Sequence, residues 1–78
     1  MPRNPTVGDQ HVGARVRAAR LEAGKSQTDV AESLGLTFQQ VQKYEKGTNR
    51  VSASMLYKFA KALEMPISGF FPKGAEEQ

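Results

Sequence analysis

Phe38, Gln39, Gln42 and Lys43 are the residues of this sequence whose types and spacing best suit contact with another molecule. They stand in GLTFQQVQKYEKG, residues 35–47, a stretch laid out like a helix. With Gln40 they fall on what should be its outer face. A glutamine amide both donates and accepts hydrogen bonds, a lysine ammonium only donates, and a phenylalanine ring offers apolar surface. Glutamine has no drive to bury itself. Either this face is plain solvated surface, or its side chains are there to touch something.

Other chemistry has little to work with. His11 is the only histidine, and it reads as a surface residue on the exposed side of the first helix. No carboxylate pair and no glycine-rich phosphate loop appears. With no cysteine, neither a disulfide framework nor a thiolate metal site is available. The expectation is no enzyme, no metal and no cofactor. No apolar run approaches the ~20 residues of a membrane span. Residues 1–15 lack the apolar core of a signal peptide. A cytoplasmic protein away from membranes is therefore expected. The net charge of +3 and the pI near 9.5 point to an anionic partner. The excess is local: residues 1–25 hold five Lys/Arg against Asp9 and Glu22, and the remainder balances.

The elements that must position these residues follow from periodicity. Residues 1–8, MPRNPTVG, read as a flexible arm, residues 9–72 as one domain, and residues 73–78 as a flexible tail. A first helix is expected from about Asp9 to Ala23, with Val12, Val16, Ala19 and Ala23 on one face and Gly24 as its stop. A second opens at Ser26, where Asp29 completes a capping box. It buries Val30, Ala31 and Leu34 and ends at Gly35. A third opens at Thr37, with Gln40 as its capping partner, and ends at Gly47. Val41 and Tyr44 face inward. A fourth opens near Ser52 and carries the strongest apolar stripe, Met55, Leu56, Phe59, Ala60 and Leu63; Pro66 prevents extension. Ile67–Phe71 is a short apolar turn or helix. The predicted fold class is all-α, a compact bundle of four helices plus a short fifth.

The second and third helices are separated only by Gly35, Leu36 and Thr37. A short glycine-containing turn between two helices of about eight residues is the layout of a helix-turn-helix; a structural helical corner can use the same residues. Leu36 is expected to point into the core. Ala31 is small enough for a close crossing, and Val41 fills the space between.

With these marks in place, residues 15–71 resemble the Cro/repressor-type (Xre-like) helix-turn-helix family of bacterial and phage regulators, whose DNA-binding domain is lambda-repressor-like. The matching stretches are VRAARLEAGKSQTDVAESLGLTFQQVQKYEKGTNR and SASMLYKFAKALEMPISGFF. The ordered set is specific: Arg20 before Leu21, Gly24 then Ser26 and Gln27, Ala31, Leu34 and Gly35, Val41, and Tyr44 through Gly47.

The resemblance implies a DNA-binding transcriptional regulator, a repressor, whose third helix, 37–46, enters the major groove of double-stranded DNA. Phe38, Gln39, Gln42 and Lys43 then take the base-reading positions. Gln39 can pair with adenine N6 and N7, Lys43 can donate to guanine O6 or N7, and Phe38 can press on a thymine methyl. Gln42 lies nearer the strand backbone and suits either role. Gln27 matches a glutamine that grips a phosphate and braces the reading helix. Thr37, Lys46, Thr48, Asn49 and Arg50 are expected at phosphates, which sets register without reading sequence. Arg20 and Glu45 lean inward on their helices, and the matching residues in the family form a partly buried ion pair. Two departures stand out: Val51 where many relatives have Pro, and Gln42 where many have Ser or Thr.

Ile67, Phe70 and Phe71 are more apolar surface than a small domain easily buries at its edge. They cap the core or form a two-fold contact. The resemblance favours the contact, and hence a homodimer on an inverted repeat. Arg3 reaches the minor groove in one reading of the arm and is part of a loose terminus in the other. Two further readings stay open: an antitoxin, with a protein partner such as a toxin or anti-repressor, and a protein-interaction module of the same fold.

Overall fold

A computed structural model describes residues 6–71. The calls on residues 1–5, Arg3 included, and on 72–78 lie outside the described residues. Four α-helices follow in chain order: α1 (Val7–Glu22), α2 (Gln27–Leu34), α3 (Phe38–Lys46) and α4 (Ala53–Ala62). A 3-10 turn, Ile67–Phe70, closes the domain. The described residues contain no strand.

Short polar side chains set the helix starts. Ser26 and Thr37 cap α2 and α3 as expected. In each, the hydroxyl accepts the third residue's N–H while that residue's side chain accepts the cap's own N–H. The same device starts α1 two residues earlier than the sequence suggests. Thr6 and Asp9 form the box, so residues 6–8 belong to the domain and not to an arm. At α2 the Ser26 N–H, then its hydroxyl, with Lys25 nearby, hold the Asp29 carboxyl below its ordinary value. Because that value is depressed on folding, the stabilisation is fully present above the ordinary carboxylate value and is lost as pH falls below it through the lowered folded-state value.

Glycines at positive φ end α2 and α3, Gly35 at 68° and Gly47 at 80°. The fourth helix stops before Pro66 can act. Leu63 is its C-cap, and Glu64 takes a left-handed φ of 54°.

The core is a single cluster built from Val16, Val30, Val41, Leu56, Phe59, Leu63 and Phe70 with three alanines between them. Tyr44 meets Phe59 edge to face, with ring centroids 5.7 Å apart, a favoured aromatic geometry. Leu36 packs against the cluster from the turn, as expected.

Three expectations fail here. Phe70 is 0% exposed and completes the core, so it is not a surface residue for a two-fold contact. The 3-10 turn folds it back under α1, and Arg15 Nε holds that turn by donating to the Gly69 carbonyl at 3.0 Å. Ala23 is exposed, because it lies past the last helical turn as the C-cap. His11 is half-buried, and its Nε2 is enclosed without a hydrogen-bond partner among the described residues. It is not a plain surface residue.

Candidate nucleic-acid interface

The third helix presents two unlike faces. Val41 and Glu45 are buried, and Tyr44 is half-buried against the core. Phe38, Gln39, Lys43 and Lys46 are exposed, with Gln42 half-buried beside them. Positions 38, 39, 42, 43 and 46 follow the helical repeat, so they share one side. Phe38 is 42% exposed and lies at the helix start. Gln40 is spent on the cap, its Oε1 accepting the Thr37 N–H at 2.9 Å. Thr37 is equally engaged. Its hydroxyl accepts the Gln40 N–H at 3.1 Å and donates to Gln40 Oε1 at 3.4 Å, so neither its N–H nor its hydroxyl stands free as a donor.

The inner face is tied down by charge. Arg20 Nε donates to Glu45 Oε2 at 2.6 Å and Nη2 to Oε1 at 3.2 Å, with side-chain exposures of only 9% and 3%. This two-point geometry fixes the relative rotation of α1 and α3. Arg20 Nη1 also reaches the Lys25 carbonyl at 2.8 Å. Gln27 Nε2 donates to Glu45 Oε1 at 3.1 Å. One carboxylate therefore joins the first, second and third helices. The bracing expected of Gln27 is present, and its amide retains a second N–H for an outside acceptor.

The third helix is also held by a contact that the sequence reading missed. Gly13 lies where α1 crosses the C-terminal end of α3. A Cβ there would meet the carbonyls of Tyr44 and Glu45, the latter at 2.6 Å. The signal was an isolated glycine inside an otherwise helical pattern, which marks a close approach. Gly47 repeats the arrangement, since a Cβ on it would fall 2.9 Å from the Gln10 backbone.

The loop after α3 is thereby pinned to the first turn of α1. The Thr48 and Asn49 N–H groups both donate to the Lys43 carbonyl, at 3.0 and 3.3 Å, and the Thr48 hydroxyl joins them at 3.1 Å. Arg50 Nε donates to Asp9 Oδ1 at 3.2 Å. Of the residues expected at phosphates, Lys46, Thr48 and Arg50 are exposed and Asn49 half-buried.

A helix of eight residues, a glycine turn and a helix of nine thus carry one polar face on a braced support. The family model described as helix-turn-helix matches residues 16–70. The chain belongs to the helix-turn-helix family. An uncharacterized HTH-type transcriptional regulator of Sinorhizobium medicae is 54% identical over 69 residues, covering 88% of this chain and 50% of that protein. An uncharacterized transcriptional regulator in the ATPase CF(0) region of Rhodospirillum rubrum is 54% identical over 63 residues, 81% of this chain and 58% of that protein. The chain spans about half the length of these relatives. Among solved structures, the restriction-modification controller protein C.AhdI from Aeromonas hydrophila superposes with a TM-score of 0.79 at 30% identity, covering 85% of this chain and 100% of that one. The DNA-binding domain of BldD gives 0.75 at 27% identity, over 82% and 93%. In this helix-turn-helix protein the motif is α2, the turn at 35–37, and α3.

Away from the motif, Tyr57, Ile67 and Phe71 are 62%, 37% and 43% exposed. Tyr57 and Ile67 flank a shallow recess of about 490 Å³ that Met65 and Pro66 also line. Tyr57 was not foreseen. It lies on the solvent side of an amphipathic helix whose inner stripe is already complete.

Proposed function

We propose that this protein binds double-stranded DNA sequence-specifically and regulates transcription, with α3 in the major groove. The observation that carries this reading is the exposed stripe of Phe38, Gln39, Gln42 and Lys43 on a helix whose opposite face is locked by Arg20, Glu45 and Gln27. A solvated surface needs no such bracing, whereas reading base edges needs side chains held in register. Gln39 and Lys43 carry the hydrogen bonding, Phe38 the thymine contact, and Gln42 a base or backbone contact. Gln27, Lys46, Asn49 and Arg50 face phosphates, while Thr48, whose N–H and hydroxyl both donate to the Lys43 carbonyl, shapes the loop. Thr37 serves the reading helix as its cap.

The protein acts as a repressor and binds as a homodimer. The two-fold contact uses Ile67 and Phe71 with Tyr57 and excludes Phe70. Such a dimer places two reading helices about 34 Å apart, one on each half of an inverted repeat. Selection from random duplexes, followed by binding over a salt series, tests the reading. The expected result is a palindromic consensus, affinity that falls steeply with salt, and a dimer mass in sedimentation on the selected site. No enriched motif, or a monomer with and without DNA, overturns it.

A further inference from the structure

The loop expected to run along the phosphates contains one cation that already has a counter-ion. Arg50 Nε donates to Asp9 Oδ1 at 3.2 Å. The two partners differ sharply in freedom: the Arg50 side chain is 64% exposed and that of Asp9 is 9% exposed. Asp9 is also fixed from its own side, since its Oδ2 accepts the Thr6 N–H at 3.2 Å in the cap of α1. Gly47 packs on the backbone of Gln10 and holds the loop against this turn. The carboxylate therefore stays beside Arg50 whatever approaches from solvent. Lys43 and Lys46 on the neighbouring helix have no ion-pair partner among the described residues.

We infer that Asp9 restrains DNA affinity by neutralising Arg50, so that residues 47–50 offer phosphate a charge pair where the sequence shows a cation. The inference rests on the DNA-binding reading above and deepens it. A phosphate approaching Arg50 gains attraction from the guanidinium and meets repulsion from Asp9 a few ångströms behind it, and the two largely offset one another. The Arg50 Nη groups stay available as donors, so the contact is a hydrogen bond with little net charge transfer. Such a pair releases fewer counterions than a lone arginine, and it weakens binding to every sequence alike. Asp9 is a positioning residue in this scheme, because it acts through Arg50.

The test is a double-mutant cycle on Asp9→Asn and Arg50→Ala, read as affinity for one duplex across a salt series. Asparagine retains an oxygen that can accept the Thr6 N–H, so α1 keeps its cap, and thermal melts confirm folding before binding is measured. Asp9→Asn is expected to bind roughly three- to tenfold more tightly at low salt. Its salt slope should steepen by about 0.9, the increment for one further phosphate neutralised. Arg50→Ala is expected to weaken binding beside native Asp9, because the carboxylate's repulsion of phosphate is then uncompensated, and to return the Asp9→Asn background to about wild-type affinity. Equal or weaker binding by Asp9→Asn, with an unchanged slope, overturns the inference. A wild-type protein that binds no duplex at all sinks the DNA-binding reading instead, which separates the two failures.

Discussion

Glu45→Ala is expected to lower the unfolding free energy by about 3–5 kcal/mol, the range for breaking a buried ion pair by removing one partner. The loss comes from what stays behind. Arg20 keeps its charge inside the domain with both of its carboxylate hydrogen bonds gone, and Gln27 loses the acceptor of its amide. Small domains sit near the low end of the 5–15 kcal/mol stability range, so much of the variant should be unfolded at body temperature. Urea unfolding followed by circular dichroism measures this. Replacing both partners, Arg20→Met with Glu45→Leu, should restore most of the lost stability, because no charge is then stranded. The restored protein lacks the rotational lock between α1 and α3, so its stability should recover further than its DNA affinity. A loss under about 1 kcal/mol for Glu45→Ala would mean that the pair behaves like an exposed salt bridge and does not brace the reading helix.

Gly13→Ala is the second large effect, and its sign is opposite to what helix propensity suggests. In an unconstrained helix the change gains up to about 1 kcal/mol. Here the new Cβ would stand 2.6 Å from the Glu45 carbonyl oxygen and 2.9 Å from its carbon. Neither is the end of a flexible side chain that can swing aside, so α1 and α3 must separate. Overpacking of this kind costs about 1–3 kcal/mol or more, and the separation also stretches the Arg20–Glu45 bonds one to two turns away. A net loss of about 2 kcal/mol is expected, which for a domain of this size lowers Tm by about 10 °C. Gly8→Ala, in the same helix, is the control. Its Cβ would meet only the Thr6 hydroxyl, at an ordinary 3.7 Å, so the same substitution there should leave stability equal or improved.

Where the sequence was legible, the signal was local. Ser26 with Asp29 and Thr37 with Gln40 announce helix starts by chemistry that needs only four consecutive residues. Gly35 and Gly47 announce the stops in the same way. The stripe 38, 39, 42, 43 follows from the repeat alone once the start is known. Thr6 with Asp9 carries the same signal for α1, but it lies across the boundary between the expected arm and the expected helix.

The less legible features depend on contacts between residues far apart in the chain. Phe70 looks like spare apolar surface until the Gly69 carbonyl is seen under Arg15, 54 positions away. Gly13 looks like a flaw in α1 until α3 is laid across it. Arg50 looks like a free cation until Asp9 is found 41 residues distant. For the candidate site, sequence therefore named the outward residues of α3 and the Arg20–Glu45 pair well. It did not reveal which phosphate-side groups are already engaged, namely Thr37 in its cap, Thr48 on the Lys43 carbonyl and Arg50 with Asp9.

Base reading by the exposed side of α3 is tested by comparing wild type with the Gln39→Ala, Lys43→Ala double variant on a selected duplex and on its scrambled counterpart. With each good base contact contributing about 1–3 kcal/mol of discrimination, the ratio of the two affinities should fall by roughly a hundredfold or more in the double variant. Binding to the scrambled duplex should change far less, by no more than the loss of one cation. A ratio that is the same in wild type and variant would contradict the account.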